Sequence, residues 1–352
     1  MKTILYLLAC DIDYTGTPLF VRDLIEHLNS EKYDISVYSP GIIRNNIYKN
    51  IKIYEGKLRL DNKVTREWRI WNSLNSLFKN QKFDIIHINT SNIHIAYLYV
   101  VFFNKRVKKI VCHSHNVILY KGNLIYRKYI ELKRLAIVNK SDVLFACSSE
   151  AGKAMFGLSS KFIIINNFID PLKYKFNKIM RDKLREKVTN SIILGNIGAF
   201  NGQKNQKFLL NLMRQLDERF VLFLVGNGKQ KEDCIKYCKK FHLDNVLFFD
   251  GTENVQQFYS AFDIFLLPSH FEGFGRVVLE AFISNLDIIT SDYVPIAYKL
   301  RLTHFPLECN KWKEGILKKA ERLNTRKDNI EVIEQYGYDA YSVVNLVESY
   351  YN

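Results

Sequence analysis

Residues 3–38 have the sequence TILYLLACDIDYTGTPLFVRDLIEHLNSEKYDISVY, and they contain the pattern on which the fold depends. Two apolar runs of strand length, 3–9 and 34–38, flank residues 18–29, whose apolar side chains recur close to helical spacing. A strand, a helix and a second strand in this order predict a βαβ unit, because two parallel strands need a crossover connection between them.

The alternation of apolar runs with helical patterns continues almost to the end of the chain. Further strands are predicted at 84–89, 109–113, 141–147, 191–197, 220–225, 246–249, 263–267 and 287–290. Near residue 170 the pattern gives way to a polar and then charged segment, as expected for a crossing between domains. We therefore predict two similar α/β domains with parallel sheets, covering residues 1–170 and 171–330. The last segment, 331–352, is predicted to be a C-terminal helix that crosses back to the N-terminal domain.

The composition excludes several classes of protein. A chain of 352 residues with 47% hydrophobic and 25% charged residues can bury two cores, which excludes wholesale disorder and a small disulfide-stapled module. The longest purely apolar stretch, residues 95–103, is about half as long as a membrane-spanning helix. Asp11 and Asp13 directly follow the first strand with no small-residue cleavage site, so we expect a cytoplasmic chain without a signal peptide. The six scattered cysteines are expected to be reduced thiols and not zinc ligands.

The charge of the chain indicates anionic partners. The 51 Lys and Arg against 36 Asp and Glu give a net charge of +15, which favours nucleic acid, anionic membrane or phosphorylated small molecules. Residues 121–140 interleave basic side chains with Leu, Ile and Tyr, which fits either a helix on an anionic membrane or a helix packed on the core with solvated charges. No RNA-binding or helix-turn-helix signature is present, so we expect no nucleic-acid partner.

Two loops in the N-terminal half follow predicted strands. In the first, Thr15-Gly16-Thr17, the glycine would let the backbone approach a phosphate, although the loop fits no dinucleotide or P-loop pattern and a plain turn explains it equally well. In the second, which contains His113 and His115, we expect one structural histidine and one histidine that faces the cleft, where it would bond a sugar or phosphate oxygen. A zinc pair is disfavoured because no further ligand follows at suitable spacing.

Two loops in the C-terminal half carry more chemistry. Gly198 begins a polar turn in which Lys204, near the start of a helix, could neutralise a phosphate, and Gly226 repeats the arrangement after the next strand. Residues 268–281 place Glu272 in a loop and Glu280 about one turn inside a helix predicted from about Arg276, where both could accept hydrogen bonds from sugar and ribose hydroxyls. A buried ion pair of Glu280 and a two-carboxylate hydrolase are the alternatives, and the neighbouring phosphate-type loops weigh against hydrolysis.

Glu272-Gly273-Phe274-Gly275 followed by Glu280 resembles the E-x7-E signature of family 4 of the retaining glycosyltransferases, which have the GT-B fold. That fold has two Rossmann-like domains whose parallel sheets face each other across a cleft. Other segments, in family order over nearly the whole chain, resemble the branch that builds bacterial capsular polysaccharides and exopolysaccharides. They are residues 84–87, 113–116, 147–152, 165–170, 203–205 and the segment around Trp312.

The resemblance implies a reaction and assigns roles in it. A sugar would pass from a nucleotide-diphosphate sugar, which we expect to be UDP-linked, with retention of configuration and without an essential metal or other cofactor. Glu272 would contact donor-sugar hydroxyls, Glu280 the ribose hydroxyls and Lys204 the diphosphate. His115 would lie near the donor sugar and the attacking hydroxyl, and Gly16 would face the diphosphate. The other expected donor-binding and acceptor-loop residues are Gly198, Gly226, Gly273, Phe274, Gly275, Arg276, Thr15 and Thr17.

The chain departs from the family pattern at two places. Ala199 stands where the family usually has an arginine that joins the lysine on the leaving group, and Arg276 is our candidate for a substitute cation. The loop from Thr15 to Thr17 lacks the glycine pair of many relatives, which affects the choice of acceptor. We expect a saccharide acceptor that is lipid-linked, reached by peripheral attachment at the inner face of the cell membrane. The rival functions are a GT-B sugar-nucleotide epimerase and a catalytically silent partner subunit.

Overall fold

A computed structural model describes the chain except for residues 14, 15, 59–64, 121, 187, 189, 273, 274, 295–301, 324, 325, 327 and 328. The chain forms two compact units. The N-terminal unit comprises residues 1–168 together with 340–352, and the C-terminal unit comprises residues 169–339.

The N-terminal unit has a parallel sheet whose described strands are ordered β3-β2-β1-β4-β5-β6-β7. Its strands are β1 (Lys2–Leu8), β2 (Tyr33–Ser39), β3 (Lys52–Glu55), β4 (Phe83–Asn89), β5 (Val107–Ser114), β6 (Val143–Ala146) and β7 (Ile163–Ile164). Its first helices are α1 (Gly16–His27), α2 (Arg66–Phe78), α3 (Ile93–Phe103), α4 (Leu124–Lys140) and α5 (Ser149–Phe156). Ile4 of β1 lies between Ile35 and Ile85 of the flanking strands, and buried side chains cover both faces of the sheet.

The C-terminal unit repeats this architecture with the strand order β10-β9-β8-β11-β12-β13, again parallel. Its strands are β8 (Ile192–Ile197), β9 (Phe220–Val225), β10 (Val246–Phe249), β11 (Ile264–Leu267), β12 (Asp287–Ser291) and β13 (Thr303–Phe305). A 3₁₀ turn (Pro171–Tyr174) precedes its helices, which are α6 (Lys178–Arg185), α7 (Gln206–Met213), α8 (Lys231–Phe241), α9 (Gln256–Ala261), α10 (Arg276–Ile283), α11 (Cys309–Ala320) and α12 (Ile330–Gln335).

In each sheet the strand order reverses at one point, and this point positions the candidate site. The reversal lies between β1 and β4 in the N-terminal unit and between β8 and β11 in the C-terminal unit. Where the order reverses, the connections leaving two adjacent strands turn to opposite faces of the sheet, which opens a crevice beyond their carboxyl ends. The loops that follow these four strands are therefore the places where a ligand is expected.

The last helix, α13 (Ala340–Ser349), belongs to the N-terminal unit. Val343 and Val347 pack into the core on the α1 side of the sheet, and Tyr351 follows them into the interior. The Tyr351 hydroxyl lies 2.7 Å from the Tyr6 hydroxyl and 2.6 Å from His87 Nδ1. The end of the chain is thus tied to the central strands of the first sheet.

Two further findings concern the cysteines and the length of the helices. All six cysteines carry free thiols. Among the described residues, no helix has the length and apolar character needed to cross a membrane.

Candidate active site

The reversal point of the C-terminal sheet brings Lys204 and Glu272 into contact. Lys204 lies in the loop after β8, Glu272 lies in the loop after β11, and Lys204 Nζ donates to Glu272 Oε1 over 2.7 Å. The Ser269 hydroxyl donates to the same oxygen over 2.6 Å. The side chains of Glu272 and Lys204 are only 7% and 16% exposed. The pair is therefore shielded from solvent, which strengthens the attraction between its two charges.

Backbone groups join the two loops that carry this pair. His270 N donates to Gln203 O over 2.8 Å, and Gln203 Nε2 donates to Phe271 O over 3.0 Å. Asn205 Nδ2 donates to Pro268 O over 3.2 Å. Because the loops are fixed to each other on both sides of the pair, Lys204 and Glu272 are held as a preformed unit.

Two of the glycines that are expected to bind the donor, Gly198 and Gly226, have little room for a side chain because other atoms of this protein lie close to them. A Cβ at Gly198 would lie 3.2 Å from Lys204 Cε, a tight contact that the lysine stem would have to relieve by a small shift. Gly226 has φ +145°, and a Cβ there would lie 2.2 Å from Gly198 O. The space beside Gly226 that a side chain would occupy is therefore filled by backbone of this protein, a packing reason for glycine that the sequence analysis did not consider.

Helix α10 holds Glu280 in the interior. The helix begins at Arg276 after Gly275, which has a left-handed φ of +73°. Glu280 is 5% exposed, its Oε2 accepts a 2.6 Å hydrogen bond from the Tyr259 hydroxyl, and Arg276 Nε lies 3.9 Å from its Oε1. Burial and the Glu280 charge raise the pKa of Tyr259 well above its usual value, so Tyr259 stays protonated as a donor. The buried ion pair considered for Glu280 is present, and Arg276 is its partner.

Three histidine rings are stacked in the N-terminal unit beside its reversal point. The His87 and His113 centroids are 5.6 Å apart and those of His113 and His115 are 4.1 Å apart. His113 is fully buried, whereas His115 is partly exposed and its Nε2 lies 2.9 Å from Asn89 Oδ1. Burial lowers the pKa of His115 to about 3, so this ring is neutral at pH 7 and adds no positive charge for a phosphate.

The acceptor loop is only partly described. Gly16 is the first residue of α1, is exposed, and would place a Cβ where no described atom lies within 4 Å. Thr17 is partly buried in the first turn of the same helix. Thr15, Gly273 and Phe274 lie outside the described residues. Among the residues that are described, no cluster of three or more His, Cys, Asp or Glu side chains could hold a metal ion.

Helix α4 shows which side chains of the basic, apolar segment face the solvent. Ile130 and Ile137 are buried against the core, while Leu124 and Ile125 are 67% and 80% exposed. Lys133, which the sequence analysis counted among the basic residues of this segment, is 4% exposed, because its ammonium group contacts side chains inside the unit. These are His94 Nδ1 at 2.9 Å and Glu67 Oε2 at 3.3 Å. Lys121 lies outside the described residues.

Three side chains that hold the candidate residues in place were not predicted from the sequence. They are Ser269, which donates to Glu272, Tyr259, which donates to Glu280, and Asn89, which contacts His115. Asn89 and Ser269 each lie at or just beyond the carboxyl end of a strand beside a reversal point, and this position is the signal that could have identified them.

Solved structures with the same architecture identify the fold. The crystal structure of Anabaena Alr3699/HepE in complex with UDP-glucose matches with a TM-score of 0.74 and 17% identity, covering 99% of each chain. Sucrose-phosphate synthase from Thermosynechococcus elongatus matches with a TM-score of 0.79 and 14% identity, covering 100% of this chain and 98% of that one. The fold is α/β with two parallel sheets, and it is the GT-B fold of glycosyltransferases.

Sequence comparisons identify the family. The family described as glycosyltransferase family 4 matches residues 14–172, and the family described as glycosyl transferases group 1 matches residues 177–302. EpsF of Bacillus subtilis (strain 168), named as a candidate glycosyltransferase, is 28% identical over 304 residues, which cover 80% of this chain and 78% of EpsF. The O-antigen biosynthesis glycosyltransferase WclY of Escherichia coli is 29% identical over 232 residues, 62% of this chain and 64% of WclY. The chain therefore belongs to the group 1, family 4 glycosyltransferases, and it is an enzyme of the transferase class.

Proposed function

We propose that this protein is a retaining glycosyltransferase that moves a sugar from a UDP-sugar to a lipid-linked saccharide during the synthesis of a bacterial surface polysaccharide. The observation that carries the proposal is the preformed group of Lys204, Glu272 and Ser269 at the reversal point of the C-terminal sheet. A cation and a carboxylate in contact there can engage the two chemically different parts of a sugar nucleotide.

Lys204 and Glu272 can bind a donor without giving up their mutual contact. An ammonium group has three donors, so Lys204 can donate to a phosphate oxygen while it still donates to Glu272 Oε1. The second carboxylate oxygen of Glu272 can accept from a sugar hydroxyl. In the proposal Glu280, held by Tyr259, accepts from the ribose hydroxyls. A UDP donor is supported by HepE, which has the same fold and whose crystal structures contain UDP and UDP-glucose.

In the proposed reaction the leaving diphosphate is stabilised by Lys204 and by the N-terminal amides of α10, and no metal ion is required. With Ala199 in the chain, Lys204 carries this charge without a neighbouring arginine, and Arg276 is engaged with Glu280. The leaving phosphate can take the proton of the attacking hydroxyl. EDTA should therefore leave the initial rate of transfer unchanged.

The acceptor and the cellular role are inferred from relatives and from α4. WclY is named for O-antigen biosynthesis. The exposed Leu124 and Ile125 are accompanied on the exposed surface of α4 by Arg127 and Lys128. Apolar and basic side chains together suit the surface of an anionic membrane, where a lipid-linked acceptor would be found.

The test is donor turnover by the purified chain with UDP-sugars and GDP-sugars, each with and without lipid-linked acceptor. We expect acceptor-dependent release of UDP from one donor, and retention of anomeric configuration in the product by proton NMR. Glu272→Gln should lower the rate by about a hundredfold or more, because a charged contact with the reacting sugar is lost. Glu218→Gln, at an exposed glutamate before β9, is the control and should keep the wild-type rate. Release that does not need an acceptor, or an inverted product, would contradict the proposal.

A further inference from the structure

Asn89 is the last residue of β4 and is 1% exposed. Its side-chain amide makes two hydrogen bonds, and together they determine which way the amide nitrogen and the amide oxygen face. Nδ2 donates to His87 O over 2.9 Å, and Oδ1 lies 2.9 Å from His115 Nε2. Rotating the amide by 180° would set its oxygen against the His87 carbonyl oxygen, and two acceptors cannot bond to each other. The carbonyl end of Asn89 therefore faces His115.

This orientation determines the tautomer of His115. A carboxamide oxygen only accepts hydrogen bonds, so the 2.9 Å contact requires that His115 Nε2 carries the proton. A neutral imidazole carries one ring proton, so Nδ1 is left as an acceptor. Burial holds the pKa of the ring at about 3, so this state persists across the physiological pH range. Among the described residues, none forms a hydrogen bond with Nδ1.

The ring is also held in one plane. Its face stacks on His113 with 4.1 Å between the centroids, and Phe20 meets it edge-on at 4.8 Å. The His115 backbone N donates to the Ser91 hydroxyl over 2.9 Å, which fixes the chain where it leaves β5. With the ring plane and the tautomer both determined, Nδ1 has a fixed direction.

We propose that Asn89 is a positioning residue that fixes His115 in the Nε2–H tautomer, so that Nδ1 accepts a hydrogen bond from a substrate hydroxyl. The assignment of that hydroxyl to a sugar rests on the proposed function. A ring with so low a pKa is a weak base, and its contribution is a directed hydrogen bond and not proton abstraction.

The tautomer can be measured without any substrate. In the full-length chain labelled with ¹⁵N-histidine, proton–nitrogen correlation spectra distinguish a protonated ring nitrogen from a bare one, and a His115→Gln variant assigns the signals. We expect His115 to show protonated Nε2 and bare Nδ1 from pH 5 to pH 8. Asn89→Leu removes the acceptor that selects Nε2–H, so a mixture of tautomers in which Nδ1–H is also populated should appear. Asn89→Asp keeps an acceptor oxygen and should keep protonated Nε2, with a raised pKa for the ring because of the added negative charge.

Kinetics give the second readout. Asn89→Leu should lower kcat by roughly tenfold, the rate equivalent of one neutral hydrogen bond, with the KM for the donor changed by less than about twofold. Asn89→Asp should recover most of the rate. A wild-type His115 with the proton on Nδ1 would overturn the proposal, as would a folded Asn89→Leu variant with unchanged tautomer and kcat. If Asn89→Leu does not fold, the wild-type spectrum and the titration of Asn89→Asp decide.

The two proposals fail in different ways. If no sugar nucleotide is turned over but the tautomer depends on Asn89 as described, the proposed function is wrong and the role of Asn89 in fixing the ring stands. If turnover is found and His115 carries its proton on Nδ1, the proposed function stands and the role of Asn89 is wrong.

Discussion

Glu280 depends on one phenol hydroxyl. Its Oε2 accepts from Tyr259 over 2.6 Å inside the C-terminal unit, where the carboxylate is 5% exposed. Tyr259→Phe removes the donor and leaves a buried carboxylate oxygen undersatisfied, which costs about 1–3 kcal/mol and frees the carboxylate to move. Because we assign the ribose hydroxyls to Glu280, we expect Tyr259→Phe to weaken UDP binding roughly tenfold, the change that 1.4 kcal/mol corresponds to. Isothermal titration with UDP measures it.

Tyr237→Phe is the matched control for this prediction. The Tyr237 hydroxyl donates to Asn211 Oδ1 between helices α8 and α7, so its removal also breaks a tyrosine hydrogen bond in the same unit. We expect a small loss of thermal stability and an unchanged affinity for UDP. Equal losses of affinity in both variants would show that Tyr259 acts only through the stability of the unit.

The exposed apolar side chains of helix α4 lead us to expect a measurable interaction with membranes. Leu124 and Ile125 are 67% and 80% exposed, and each would bury an apolar side chain on inserting into a lipid surface. Leu124→Ser with Ile125→Ser should lower binding to vesicles that contain anionic phosphatidylglycerol by about tenfold or more in co-sedimentation. Wild-type binding should weaken as salt increases, because Arg127 and Lys128 are exposed and screened.

Leu158→Ser controls for the loss of an exposed leucine. Leu158 is 86% exposed in the N-terminal unit and lies outside α4, after the end of α5. Its replacement should leave vesicle binding at the wild-type level. If the α4 double variant also binds like the wild type, or if the wild type does not sediment with anionic vesicles at low salt, the membrane role of α4 is wrong.

The elements that the sequence predicted well are those whose own residues determine them. The run at 191–197 corresponds to β8 (Ile192–Ile197), and the helix expected from Arg276 begins there, because a buried parallel strand and a glycine-preceded helix start are both local patterns. The edge strands β3 (Lys52–Glu55) and β13 (Thr303–Phe305) were not predicted. Both are short and only partly buried, and neither contains a continuous apolar run that would mark it as a strand. They are strands because each pairs with one neighbour at the edge of its sheet.

Contacts between side chains that are far apart in the sequence could not be predicted for a similar reason. Lys204 and Glu272 were predicted as site residues, but their contact was not, since the two residues are 68 positions apart and meet only through the strand order. The basic side chains of residues 121–140, which include Lys133, were expected to face a membrane or the solvent, because a helical pattern shows only which residues share a face. It does not show that Glu67, from another helix, offers a buried lysine its partner.

At the scale of the molecule, the buried histidines should make the fold sensitive to acid. His87 and His113 are fully buried, and burial lowers the pKa of His87 to about 3 and that of His113 well below its usual value. In the unfolded chain both rings return to about 6.5. Above pH 6.5 neither state binds these protons. Between about 6.5 and 3 the unfolded state binds protons that the folded state does not, so stability falls as pH falls.

The expected slope is about 1.4 kcal/mol per pH unit for each such histidine within that window. Urea unfolding midpoints between pH 4.5 and 7.5 measure it. His87→Gln cannot titrate, so its stability should fall less steeply below pH 6.5, even though losing the contact with Tyr351 lowers its stability at pH 7.5. His242→Asn, at an exposed histidine after α8, should keep the wild-type slope because it leaves the buried rings unchanged. If the stabilities of His87→Gln and the wild type fall in parallel as pH falls, His87 is protonated inside the fold. The prediction that the stacked histidines stay neutral would then be wrong.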